Sequence, residues 1–186
     1  MAAVSSLTRR VLVVLLLVIH TACGILLGNV KPVEEKSKNY EVLNLSSEDS
    51  DWLRVPGDKT SEANAKGVFD MAYQSKATAS IISLNSACRA QPVEQTPVAL
   101  KTLARPLFFG VSDVTLREEK DLTIAKGPAF ETTIRGNLGA KEMIMRAVVL
   151  HRSGCIYDLM LIAQPKYFME CEAAFSHFVA SLKIKE

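Results

Sequence analysis

The residues with the widest chemical range in this sequence are its four cysteines, Cys23, Cys88, Cys155 and Cys171. A thiolate is a nucleophile when a histidine base and an orienting carboxylate or amide lie beside it. Two thiols that come close in an oxidising compartment form a disulfide. A cysteine directly behind an apolar export segment has a third use, because its sulfur can carry a lipid that anchors the chain to a membrane.

The residue types of a thiol hydrolase occur around Cys155. His151 would be the base, and Asp158 or Asn85 would orient it. However, His151 and Cys155 flank a tight turn, and nothing in their spacing brings the imidazole within hydrogen-bond reach of the thiol. We therefore expect Cys155 to be structural, His151 to be a solvated turn residue and Asp158 to lie at the wet end of its strand. A periplasmic hydrolase that uses Cys155 and Asp158 is the alternative.

Disulfide formation is the second possibility for the same thiol. Cys88 ends one predicted strand and Cys155 begins another, so both lie at strand edges where a bridge is feasible. We predict a Cys88–Cys155 disulfide, with no disulfide or a pairing with Cys171 as the alternatives. Cys171 lies on the apolar face of a predicted helix, which favours a buried thiol.

Residues 1–22 have the three parts of an export signal. Two arginines at 9–10 supply the positive end, and 11–19 form an unbroken apolar run, VLVVLLLVI. Small or polar residues at 20–22 then precede Cys23. Nine helical residues span roughly 14 Å, about half of a bilayer core, so this run alone is too short to cross a membrane.

The junction Ala22-Cys23-Gly24 resembles the lipobox of bacterial lipoproteins, in which a diacylglycerol is attached to the cysteine thiol and a peptidase cleaves before it. The resemblance implies a lipidated Cys23 carrying two or three acyl (palmitate-type) chains, and two chains suffice for stable anchoring. His20 departs from the apolar residue that the family prefers. An uncleaved signal anchor over 11–28 and ordinary secretion are the alternatives. Gly24 favours the outer membrane, because enterobacterial lipoproteins retained at the inner membrane carry an Asp there.

The charge balance argues against nucleic-acid binding. The sequence has 22 basic and 20 acidic residues, and two of the basic ones lie in the export signal, so the remainder is formally neutral. No cysteine or histidine pair has metal-site spacing, and no phosphate-binding glycine loop or nucleophile elbow is present. We expect neither a metal nor a cofactor.

Composition divides the chain into three parts. Residues 29–39 are polar and charged without an apolar period, which is typical of a flexible tether. The predicted organisation is a signal peptide over 1–22, a lipidated cysteine and tether over 23–39, and a globular domain over 40–186.

Short segments of strand character dominate the domain. The predicted strands are 40–45, 51–55, 68–73, 79–84, 114–118, 121–126, 130–135, 142–150 and 155–163. The segments 114–118 and 121–126 are predicted to pair as a tight hairpin, and Arg152-Ser153-Gly154 is the predicted turn of the last hairpin.

Two helices complete the prediction. Thr96 caps the first and Pro97 begins it, while Pro106 should end or kink it near Ala104. Its predicted apolar face is Val98, Leu100, Leu103, Leu107 and Phe108. The second helix begins after Pro165, and one apolar stripe follows it at helical spacing: Phe168, Cys171, Phe175, Phe178 and Leu182. The fold class is therefore α+β, an antiparallel sheet of about six to eight strands flanked by two main helices.

Three segments carry a further resemblance: 81–88 (IISLNSAC), 155–158 (CIYD) and the Phe-rich last helix ending in VASL. They resemble small, uncharacterised lipoproteins of the delta-proteobacterial type. The strand order and last helix are similar to the PsbP-like sandwich, in which helices flank a sheet. The resemblance implies that fold for roughly residues 50–184 but no particular chemistry, because the fold hosts binding and assembly proteins of many kinds.

These features predict a membrane-anchored envelope lipoprotein that faces the periplasm and acts as a non-catalytic binding or assembly module. The expected partners are the membrane, through the anchor, and an envelope protein or a lipid ligand. A narrower hypothesis places the protein in envelope lipid or protein traffic, with Met143, Met145 and Met160 lining a groove. Ordinary core filling by these methionines is the alternative.

Overall fold

The computed structural model describes residues 39–46, 50–55, 69–88 and 96–185. All of them belong to one compact unit, residues 34–186. The predicted signal peptide, the lipidation at Cys23 and the tether up to residue 38 lie outside the described residues, so these stay predictions.

The described residues form nine strands and two α-helices. The strands are β1 (Tyr40–Glu41), β2 (Trp52–Val55), β3 (Met71–Ser75), β4 (Ile81–Cys88), β5 (Val111–Ile124), β6 (Gly127–Leu138), β7 (Lys141–Arg152), β8 (Cys155–Ala163) and β9 (Lys183–Ile184). Helix α1 (Pro97–Ala104) continues as a 3₁₀ turn over Arg105–Phe108, and helix α2 spans Pro165–Ala180.

Seven of the strands form one antiparallel sheet in the order β2-β3-β4-β8-β7-β6-β5. Strands β1 and β9 pair separately as a short antiparallel ribbon. The predicted α+β class, with a sheet of six to eight strands and two main helices, is confirmed.

The two helices cover opposite faces of the sheet. Successive side chains of a strand point to opposite faces, and on β7 Val148 packs in the same core as Phe178 of α2. Its neighbour Val149 packs with Leu100 of α1 instead. The fold is therefore a sandwich of three layers, with the sheet in the middle.

Local sequence explains both helix starts. The Thr96 hydroxyl accepts a hydrogen bond from the Ala99 amide, 3.2 Å away, and Pro97 occupies the first helical position. The α-helical segment ends at Ala104, as the proline at 106 predicted. The predicted apolar face is wrong at Val98, which is 75% exposed, because only one side of this two-turn helix reaches the sheet.

The prediction of a hairpin between 114–118 and 121–126 is wrong. Strand β5 runs unbroken from 111 to 124 and pairs along its length with β6, with a bulge between Ser112 and Leu116. The turn is Ala125-Lys126, whose positive φ values of 49° and 62° suit a tight hairpin. Because β5 is an edge strand, its central charged residues face solvent. In the sequence, such a charged run looks the same as a turn.

Two predictions near the last hairpin also need correction. The turn consists of Ser153 and Gly154 alone, with φ of 50° and 75°, and β7 continues through Arg152. The prediction of a solvated His151 is therefore wrong. His151 pairs with Ile156 inside the sheet and is only 3% exposed.

The remaining differences concern strand bounds. The predicted strand 40–45 is only two residues long, since residues 42–46 are irregular. The pair predicted at 68–73 and 79–84 begins later in the chain, and β4 continues to Cys88.

Candidate functional site

A cleft of about 440 Å³ separates the C-terminal half of α2 from the β5 edge of the sheet. One side presents Leu122 and Ile124 of β5, and the other presents Phe175 and Val179 of α2. The cleft falls within the range of about 300–1,000 Å³ that is usual for small-molecule sites. A second concavity of about 450 Å³ is lined mainly by polar and charged side chains. The cleft is the better candidate for a binding site because its walls are apolar.

The cleft exists because α2 covers only part of the sheet. The buried stripe of α2, which includes Cys171, Phe175 and Phe178, packs over β8 and β7. Strand β5 lies two strands beyond β7, and its half-buried Leu122 and Ile124 pack at the border of the same core. The flank of the helix and the sheet edge thus form two apolar walls with a gap between them.

A chain of four charged side chains crosses from the sheet edge to the helix, and three of the four line the cleft. Lys120 Nζ on β5 lies 3.0 Å from Glu131 Oε1 on β6. Glu131 Oε2 lies 2.8 Å from Arg146 Nη2 on β7. The other terminal nitrogen of Arg146 forms an ion pair with Glu172 on α2. We call Lys120, Glu131, Arg146 and Glu172 the ion chain.

Where the ion chain lines the cleft, Lys120 and Arg146 both keep unused hydrogen-bond donors. Both carboxylate oxygens of Glu131 are engaged, and its side chain is only 8% exposed. By contrast, the buried Nε of Arg146 has no hydrogen-bond partner, and the ammonium of Lys120 is on a side chain that is 56% exposed. An unmet buried donor costs about 1–3 kcal/mol. This part of the cleft therefore suits a ligand group that accepts hydrogen bonds.

The polar residues singled out in the sequence lie on the opposite face of the sheet. Asp158 pairs across the sheet with Asn85 on β4 and with Val149 on β7, whose side chain faces α1. Burial raises the pKa of Asp158 from 3.8 to about 7. The prediction that it lies at the wet end of its strand is therefore wrong, because β8 has a neighbouring strand on both sides at this point.

His151 shares that face, one cross-strand step nearer the turn. Neither ring nitrogen has a hydrogen-bond partner, and burial lowers the pKa of the imidazole. Burial of this ring therefore favours its neutral form.

The thiols are placed by the pairing of β4 with β8. Cys88 and Cys155 lie directly opposite each other and are joined by a disulfide. Of the pairings that the sequence leaves open, this is the one that the structure contains. The bridge leaves Cys155 without the free thiol that a cysteine hydrolase requires. Cys171 is a buried free thiol whose sulfur lies 3.6 Å from the hydroxyl of Thr78.

The described ranges contain no group of three or more His, Cys, Asp and Glu side chains arranged to hold a metal ion. Neither of their α-helices has the length and apolar character that crossing a bilayer requires.

No protein-family model and no curated protein sequence matches the chain. Solved structures share its fold, among them the solution structure of cyanobacterial PsbP (CyanoP) from Synechocystis sp. PCC 6803. That match has a TM-score of 0.52 and 12% identity, and covers 84% of this chain and 96% of CyanoP.

The crystal structure of LpqN, which is involved in cell envelope biogenesis of Mycobacterium tuberculosis, also matches with a TM-score of 0.52. The identity is 14%, and the match covers 84% of this chain and 90% of LpqN. At such identities these likenesses establish the fold alone. The predicted PsbP-like sandwich is confirmed.

The cleft could not be predicted from the sequence. Its charged residues come from four elements and share no motif, and Lys120 lies between two segments that the sequence predicts as separate strands. The methionines proposed as a groove lining do not line it. Met145 is a core residue on the α1 face, 2% exposed, and Met160 packs beside the same cluster.

Proposed function

We propose that this protein is a membrane-tethered module of the bacterial cell envelope that faces the periplasm and binds a ligand or partner, without catalysis, in the cleft between α2 and β5. The observation that carries the proposal is the cleft itself, in which two apolar walls meet a donor-rich ion chain. Both walls stand on secondary structure that is fixed by the core, which is the usual support for a preformed site.

The tether is the second part of the proposal. The export signal and the lipobox-like junction support lipidation of Cys23, and Gly24 favours the outer membrane over the inner one. LpqN, which shares the fold, is involved in cell envelope biogenesis, and this supports an envelope location. An uncleaved signal anchor is the competing way of attaching the domain.

The absence of catalysis is an expectation that rests on chemistry. The disulfide occupies Cys155, and Asp158 lies on the face opposite the cleft. Neither of the two residues proposed for the alternative hydrolase, Cys155 and Asp158, lines the cleft.

Site-specific photo-crosslinking in cells tests the proposal. A benzophenone amino acid is placed at Ser176, an exposed residue of α2 that lines the cleft, and at Ala173, an exposed residue of the same helix outside the lining. We expect a reproducible adduct, with protein or lipid, from position 176 and not from 173. Equal adducts from both positions, or none from 176, would contradict a binding role for the cleft.

A further inference from the structure

We propose that the cleft takes a single-chain amphiphile with an anionic head, such as a fatty acid or a lysophospholipid. The head oxygens would lie against Lys120 and Arg146, and the chain would lie between β5 and α2. This inference rests on the proposed function, because it assigns a ligand class to the same cleft.

The polar part of the cleft defines the head group. Each carboxylate oxygen of Glu131 already contacts one cation. The Nε–H of Arg146 is buried without a hydrogen-bond partner, and the ammonium of Lys120 keeps donors beyond the one that faces Glu131. Donors on two cationic groups are complementary to carboxylate or phosphate oxygens, and such charge-assisted hydrogen bonds are the strong ones. A neutral head can accept hydrogen bonds from these donors but lacks the charge that strengthens them.

The walls define the tail. Leu122 and Ile124 are two residues apart and lie on the same face of β5. Phe175 and Val179 lie one turn apart on α2. Both walls therefore present a row of apolar side chains. The volume of about 440 Å³ is at the small end of the usual range for ligand sites. These dimensions suit one acyl chain rather than two.

The position of the cleft suggests the source of the ligand. Ala180, the last residue of α2, lines the cleft, and the chain then forms β9, which pairs Ile184 with Tyr40 of β1. The proposed tether would join the domain at Tyr40. A lipid released from the anchoring membrane is therefore the amphiphile nearest to this end of the domain.

The test uses residues 34–186, because this compact unit contains every described helix and strand. Three amphiphiles are titrated below the concentrations at which they aggregate: hexadecanoate, its methyl ester and a palmitoyl lysophosphatidylglycerol. Inorganic phosphate is titrated as the fourth probe. Calorimetry reports one site for hexadecanoate or the lysophospholipid, with the methyl ester bound about tenfold or more weakly. Inorganic phosphate, which has the charge without the chain, gives no measurable binding. The ratio between the two single-chain anions shows which head is preferred.

Matched variants locate the site. Lys120→Gln should weaken the anionic probes about tenfold and leave the ester unchanged, while Lys141→Gln, at the far end of β7, should change neither. Ser176→Phe should abolish binding of every single-chain probe, and Ala173→Phe should not. Far-UV circular dichroism checks that each variant is folded.

The outcomes separate the two proposals. Equal affinity for acid and ester, or loss of binding in Ala173→Phe as well as Ser176→Phe, overturns the assignment of an anionic head at this site. If no amphiphile binds, the ligand class is wrong. The photo-crosslinks from position 176 then decide whether the proposed function is correct.

Discussion

The carboxylate of Glu131 on β6 lies 2.8 Å from the Arg146 guanidinium on β7, and both side chains are largely removed from solvent. Glu131 also binds Lys120 of the edge strand, and Arg146 also binds Glu172 of α2. The pair is thus the centre of a chain of contacts that joins the two walls of the cleft.

Breaking this pair should destabilise the domain strongly. Arg146→Met leaves Glu131 buried with only Lys120 to compensate it, and removing one partner of a buried pair costs about 3–5 kcal/mol. Urea unfolding followed by the fluorescence of Trp52, the single tryptophan, measures the loss. Arg135→Met, which breaks the exposed ion pair with Glu142, is the control and should shift the unfolding midpoint far less.

A double variant sharpens that experiment. Combining Arg146→Met with Glu131→Gln removes the uncompensated carboxylate, so it should recover a large part of the lost stability. A double variant no more stable than Arg146→Met alone would show that the arginine contributes mainly through packing.

The Cys88–Cys155 bridge should contribute substantially to stability. It closes a sequence separation of 67 residues, and constraining the unfolded chain over such a loop is worth about 4 kcal/mol. The double variant Cys88→Ala/Cys155→Ala should therefore unfold at a lower urea concentration than the oxidised protein. A reducing agent should lower the midpoint of the wild type and leave that of the variant unchanged. Unchanged wild-type stability on complete reduction would contradict the prediction.

Asp158 should make stability depend on pH. Its pKa is about 7 in the folded protein and 3.8 as an ordinary value, so between these two pH values the folded state holds a proton that the unfolded state has lost. Its contribution is therefore most favourable below about pH 4 and declines until about pH 7. Asp158→Asn removes this decline, and its advantage over the wild type should grow to about 2–4 kcal/mol above pH 7.

The comparison between the two proteins isolates Asp158. The lowered pKa of His151 acts in the opposite direction, since its protonation destabilises the fold as the pH falls, but it is present in both proteins. Asp121→Asn, a change to an exposed carboxyl of β5, is the control and should show no such trend. A stability difference between Asp158→Asn and wild type that stays constant from pH 4 to 8 would refute the assignment.

Replacing Cys23 distinguishes the lipid anchor from the signal anchor. In a Gram-negative host fed an alkyne-tagged palmitate analogue, the wild type should be labelled and recovered with the membranes. Cys23→Ser should lose the label and remain unprocessed, because both the thioether and the cleavage depend on the thiol. Label-free wild-type protein that stays with the membrane would favour an uncleaved signal anchor over 11–28.

Features encoded by neighbouring residues were predictable. Thr96 with Pro97, and the proline at 165, mark the helix starts, and the apolar stripe of α2 gives the buried residues Phe175 and Phe178. Strand β8 has the predicted bounds, and β7 begins one residue earlier and ends two residues later than predicted. These signals depend on side chains within one or two turns of each other.

What depends on strand pairing was not predictable. The sequence predicts two strands in place of β5 because Glu119 and Lys120 are as polar as turn residues. The position of β5 at the edge of the sheet explains why a strand carries these charges. The cleft requires Lys120 opposite Glu131, with Arg146 beside it. That arrangement follows from the register of three strands, for which the individual segments carry no signal.

Native mass spectrometry tests the central claim, that the cleft binds a single-chain lipid, most directly. Residues 34–186 are purified from the periplasm of a Gram-negative host without detergent, as the wild type, Ser176→Phe and Ala173→Phe. The account predicts an added mass in the range of a single-chain lipid on the wild type and on Ala173→Phe, and its loss in Ser176→Phe. An identical bare mass for all three proteins, even after incubation with host lipid extract, would contradict it.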